Sequence, residues 1–127
     1  MDNERTAVIT IGGKEYELVL TTRATKEIAG RYGGLENLGD KLMQSENFDA
    51  AIGEIVWLIT LLANQSILIY NLSHKDKPKE LLSEEEVELL TCPFELAEYK
   101  NAIMEALSRG TKRNVESEPD GKNTAAE

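Results

Sequence analysis

Only one cysteine and one histidine occur in the 127 residues of this chain. Cys92 cannot close an internal disulfide, and no second thiol is present to build a zinc or redox centre, which fits a reducing cytosol. Basic residues are also scarce. Fourteen Lys and Arg stand against 23 Asp and Glu, a formal net charge of −9 that repels nucleic acid and anionic lipid. The opening MDNERTAVITIGG has neither the basic start nor the apolar run of roughly 7–15 residues that a secretion signal needs, so no export is expected. Neither Gly12-Gly13 nor Gly33-Gly34 continues into Gly-Lys-Ser or GxGxxG, so phosphate cradling is not indicated and both pairs read as turns.

Candidate catalytic groups are equally thin. His74 stands alone in the lysine-bearing loop HKDKPK and reads as a solvated side chain. Cys92, beside Pro93 and between two apolar helical patterns, reads as a buried structural thiol. Glu80, Glu84, Glu85, Glu86 and Glu88 lack the alternating oxygen ligands and turn glycine of a calcium loop and read as a solvated, cap-stabilising face. The expectation is a protein without enzymatic activity, cofactor or metal.

What the chain does have is an uncharged run of nineteen residues, Ile55 to Ser73, reading IVWLITLLANQSILIYNLS. A membrane span needs about 20 apolar residues, but Asn64, Gln65 and Ser66 would then lie at mid-bilayer, and no basic residue flanks the N-terminal end. A buried helix without membrane contact is the better reading. At 100° per residue it carries two apolar stripes: Ile52, Ile55, Val56, Ile59, Leu62, Ala63 and Tyr70 on one, Trp57, Leu61, Leu68 and Leu72 on the other. Gly53, Thr60, Asn64 and Asn71 form a polar seam between them. The second stripe is surplus to a small core and is the candidate partner-binding surface. Trp57 reads first as plain core, with the anchor of an interface patch as the alternative, and the two roles differ in exposure.

The remaining pattern describes one mainly α domain, residues 1–110, with an N-terminal β-hairpin at 7–20 packed on its helices and a flexible, disordered acidic tail at 111–127. With Gly12 and Gly13 as the turn, Ile9 faces Tyr16 and Ala7 faces Leu18 on an apolar face, while Thr10–Glu15 and Val8–Glu17 occupy the other. Thr21 or Thr22 caps a first helix ending at Gly33-Gly34; a short amphipathic segment follows with Leu35, Leu38 and Leu42. Asn47 caps the long helix, which starts at Phe48, runs some 25 residues, and is expected to break, if anywhere, at Asn64 to Ser66. Ser83 and Glu86 form a capping box with Leu82 and Val87 at the staple positions. That helix stops by Cys92, and Pro93 opens a last helix with Leu96, Tyr99, Ile103 and Leu107 on one face, ending at Gly110. In the seventeen residues after Gly110, Val115 is the only bulky apolar side chain.

Taken in order, ITIGGKEYELVLTTRATKEIAGRYGGLENL, a helix carrying EIVWLITLLANQ, and LLSEEEVELLTCPFELAEYKNAIMEALSRGTKRNVESE resemble the tail assembly chaperones of long-tailed bacteriophages and prophages over nearly all of residues 7 to 118. The resemblance implies a helical, non-enzymatic protein of the host bacterial cytoplasm that coats the tape measure protein, keeps it soluble and delivers tail tube subunits around it; self-association is expected through the Trp57 to Leu72 stripe. It also implies a longer product made by a −1 programmed frameshift near the end of this frame; GGA AAA AAT codons at Gly121-Lys122-Asn123 would supply the slippery site, and AAG at Lys122 would remove it. A structural minor component of the finished tail, such as a connector or tube-associated protein, is the alternative, distinguished by its presence in purified virions.

Overall fold

A computed structural model describes residues 6–38 and 48–116. Its elements, in chain order, are β1 (Thr6–Ile11), β2 (Lys14–Val19), α1 (Thr22–Tyr32), α2 (Phe48–Leu72), α3 (Glu84–Leu90) and α4 (Pro93–Glu116). The fold is mainly helical with an N-terminal hairpin laid on the helices, as the pattern predicts.

The hairpin register is the expected one, with Ala7 opposite Leu18, Val8 opposite Glu17, Ile9 opposite Tyr16 and Thr10 opposite Glu15. Gly12 and Gly13 take φ of 57° and 84°, the doubly positive turn that matches the twist of paired strands. Ala7, Ile9, Ile11 and Leu18 are buried, and this face lies on α2, which packs chiefly along β2, and α4, which packs chiefly along β1. A two-stranded sheet is not stable alone; here the helices supply the missing layer.

Helix boundaries follow local chemistry. Thr21 is the N-cap of α1, accepting from the Ala24 N–H at 3.0 Å, and Gly33 closes the helix with φ of 90° and an N–H bond to Ala29. The capping box of α3 is complete: Ser83 Oγ accepts from the Glu86 N–H at 3.1 Å, and Glu86 accepts from the Ser83 N–H at 2.8 Å. Leu82 and Val87, at the staple positions, are both buried. Cys92 N–H donates to Glu95 at 2.9 Å, opening α4 at Pro93. Leu96, Tyr99, Ile103 and Leu107 are buried as one face.

One open point is settled and one expectation fails. First, α2 is unbroken through Asn64, Gln65 and Ser66, because each of these polar side chains has a partner that leaves the helix ladder intact. Asn64 bonds the backbone of Leu82, Gln65 donates to the Leu61 carbonyl and accepts from Thr21, and Ser66 donates to the Ala63 carbonyl. Second, α4 does not end at Gly110 but continues to Glu116, so helix replaces tail at 111–116. Gly110 is a site of close approach: a Cβ there would stand 2.8 Å from the Leu20 Cβ. The Asn47 cap, the Leu42 end of the short segment, and 117–127 with Gly121-Lys122-Asn123 lie outside the described residues; 35–38 form one helical turn with Leu38 buried.

Candidate interaction surface

At 25 residues α2 spans roughly 37 Å, and its stretch Ala51–Leu72 is long and apolar enough to cross a membrane by length and composition. In the fold its first stripe is core: Ile55, Val56, Ile59, Leu62 and Ala63 are buried, joined by Leu58 and Ile67, which neither stripe included. Ile52 and Tyr70 are only half-buried.

The second stripe divides along its length. Trp57 and Leu61 are half-buried and packed against the core. Leu68 is half-buried, and Leu72 is 72% exposed with Ile69, three residues earlier, at 40%. The N-terminal half of the stripe is thus partly used within the domain, while its C-terminal end faces solvent.

Trp57 is engaged by α1. The Arg31 guanidinium lies 4.4 Å from the Trp57 ring centroid, and the Tyr32 ring meets it edge-on at 6.0 Å and 72°. On the same side Tyr32 Oη donates to Glu54, and Arg31 Nε donates to the same carboxylate at 3.4 Å. Burial first, and then this hydrogen bond to Glu54, pushes the Tyr32 phenol from 10.0 up to about 12. These contacts hold α1 beside α2, which it touches over a small area, and they account for Trp57 being neither sealed nor free.

The polar seam has a structural use that periodicity alone does not reveal. Asn64 Nδ2 donates to the Leu82 carbonyl at 2.8 Å, and the Leu82 N–H donates to Asn64 Oδ1 at 2.7 Å. Two turns on, Asn71 Nδ2 donates to the Lys79 carbonyl at 3.1 Å, and the Lys79 N–H donates to Asn71 Oδ1 at 2.9 Å. Each side-chain amide thereby pairs with a backbone residue as another peptide group would. The spacings agree: seven helical residues rise about 10.5 Å, and three residues of extended chain about 9–10 Å. Residues 79–82 therefore run antiparallel to α2 along the seam. Between this segment, α2 at Ser66, Ile67 and Tyr70, and the hairpin at Val8, Glu15 and Glu17 lies an open cleft of about 710 Å³.

His74 is exposed, its ring stacked on Tyr70 at 3.7 Å and 1° with Nδ1 2.8 Å from the Tyr70 carbonyl. Cys92 is not the buried thiol expected; it is exposed, because the two-residue junction between α3 and α4 turns outward while Leu96 and Val87 take the interior. Among the described residues no group of three His, Cys, Asp or Glu is placed to hold a metal ion. No protein-family model, no curated protein and no solved structure matches this chain.

Proposed function

We propose that this protein is a phage tail assembly chaperone: it binds and solubilises the tape measure protein and recruits tail tube subunits in the host cytoplasm, self-associating through the C-terminal part of α2. The observation that carries the reading is the apolar end of that helix, where Leu72 is 72% exposed and Ile69 40% exposed at the close of a run without a charged side chain. A surface of this kind fits another apolar helix lying along it. It supplies contact area and needs no catalytic group. The order of hairpin, long apolar helix, capped acidic helix and closing helix supports the same reading through the family resemblance.

Co-expression with tape measure segments tests it. The wild-type chain is expected to keep those segments in the soluble fraction and to co-elute with them in size exclusion, and Leu68→Ser/Leu72→Ser to lose both effects while remaining folded. Tape measure segments that precipitate equally with and without the wild-type chain would refute the proposal.

A further inference from the structure

A second exposed apolar surface lies at the junction of α3 and α4. Leu89 is 75%, Leu90 51% and Phe94 73% exposed, all within six residues. Single exposed leucines are ordinary; three large side chains around a two-residue junction are a patch. Its charge is of one sign. From Glu80 to Tyr99 the chain carries seven glutamates and no lysine or arginine. Glu85 and Leu89, and again Phe94 and Glu98, stand one helical turn apart, so at each end of the patch a carboxylate shares a face with an exposed apolar side chain.

The patch is held in place before any partner arrives. The capping box fixes the start of α3. At its end Leu90 approaches the hairpin turn so closely that a Cβ on Gly12 would stand 3.2 Å from Leu90 Cδ1, and Tyr99 Oη donates to the Thr10 carbonyl. Binding to a surface already fixed in shape loses little to ordering.

The remainder of the chain is a poor cover for it. The hairpin tip lies by this junction, and Thr6 is at the opposite end of the strands, roughly 20 Å away at six residues of strand. Residues 117–127 carry Lys122 against Glu118, Asp120 and Glu127, 1 − 3 = −2, and 39–47 carry Lys41 against Asp40 and Glu46, 1 − 2 = −1. Neither has the charge to meet a carboxylate rim. A second copy presenting the same face would set glutamates against glutamates.

We propose that the α3–α4 junction is a docking surface for a basic amphipathic helix of a partner protein, whose apolar side chains cover Leu89, Leu90 and Phe94 while its lysines or arginines reach Glu84, Glu85, Glu88 and Glu98. The surface shares no residue with the α2 stripe and stands or falls independently of the function proposed above.

The test uses a fluorescent synthetic Lys/Leu amphipathic peptide of about 18 residues, roughly five helical turns, and a Lys/Ser peptide of the same charge as probes of the full chain. Fluorescence anisotropy is expected to show saturable, salt-weakened binding of the Lys/Leu peptide and much weaker binding of the Lys/Ser one. Leu89→Ser/Phe94→Ser, at two exposed positions, is expected to leave the helical circular dichroism unchanged and to weaken binding of the Lys/Leu peptide on the order of tenfold or more. Leu72→Ser is expected to leave it unchanged. Equal affinity of both peptides, equal affinity for the Leu89→Ser/Phe94→Ser chain, or an equal loss in Leu72→Ser would overturn the proposal. So would a light-scattering mass above the monomer that falls to the monomer in Leu89→Ser/Phe94→Ser, which would make a second copy the occupant.

Discussion

The long helix α2 is held along one flank by hydrocarbon and along another by amides. Toward the core it presents Ile55, Leu58, Ile59 and Leu62, all essentially sealed from water. Toward residues 79–82 it presents Asn64 and Asn71, each in a paired hydrogen bond with backbone. The first attachment is tolerant of direction, since apolar burial scales with area and has no register. The second is directional, and its three-to-seven spacing fixes where the returning chain lies. That placement sets Ser83, hence the start of α3, hence the exposed junction beyond it. Packing gives this molecule its stability, and two asparagines give one of its surfaces an address.

The largest effect is expected on the hydrocarbon side. Leu58→Ala empties a fully buried position at the centre of α2, and such truncations cost about 2–5 kcal/mol. Urea unfolding should show a lowered midpoint with unchanged slope. A loss under about 1 kcal/mol would mean that the layer beneath α2 is loosely packed and the contrast between its flanks is false.

On the amide side Asn64→Ala leaves the Leu82 N–H and carbonyl without their partners in a part-buried setting, a cost of about 1–3 kcal/mol. Asn71→Ala removes the equivalent pair at an exposed site, where water substitutes, and should cost about 0.5 kcal/mol or less. Hydrogen exchange at the Leu82 amide should rise in the first variant more than in the second. Equal effects would show that the two pairs do not differ in burial as described.

Two glycines sharpen the comparison through opposite signs. Gly53 in α2 has nothing within 4 Å of an added Cβ, so Gly53→Ala should stabilise the protein by about 1 kcal/mol through helix propensity. Gly110 in α4 meets the Leu20 Cβ at 2.8 Å, and overpacking of about 1–3 kcal/mol should outweigh the same gain, so Gly110→Ala destabilises. Thermal unfolding of the two variants settles it; a stabilised Gly110→Ala would mean that Leu20, just after β2, and α4 part easily.

These cases also mark what the sequence makes legible. Register in the hairpin is readable because a period of two admits one apolar face around Gly12-Gly13, and the capping box because its bonds are local. Gly110 is not readable, since a glycine that ends a helix and one that lets another segment approach are the same letter; only the position of Leu20 decides. Asn64 looks like a helix breaker until Leu82 is placed eighteen residues away. The α2 stripe is legible as an apolar surplus but not in how it is shared, because Arg31 and Tyr32 over Trp57 come from another helix. The exposed Leu89 and Phe94 fall in patterns that read as helix and solvated acidic face, and nothing local says that their apolar side chains point outward.

The contacts around Trp57 give the smallest expected effect, visible only in alkaline solution. The Tyr32 phenol, raised to about 12 by burial and by its bond to Glu54, keeps its proton in the folded chain above the pH at which the unfolded chain, near 10.0, releases it. Its contribution is therefore complete below about pH 10 and declines as pH rises through about 12. In Tyr32→Phe this group no longer titrates, so the fall in urea midpoint between about pH 9 and about pH 11.5 should be shallower than in the wild type. Some slope should persist, because burial and the nearby Glu95 also raise the Tyr99 phenol. Identical slopes in the two proteins would mean that Tyr32 is solvated and that α1 is not fastened to α2 through Glu54.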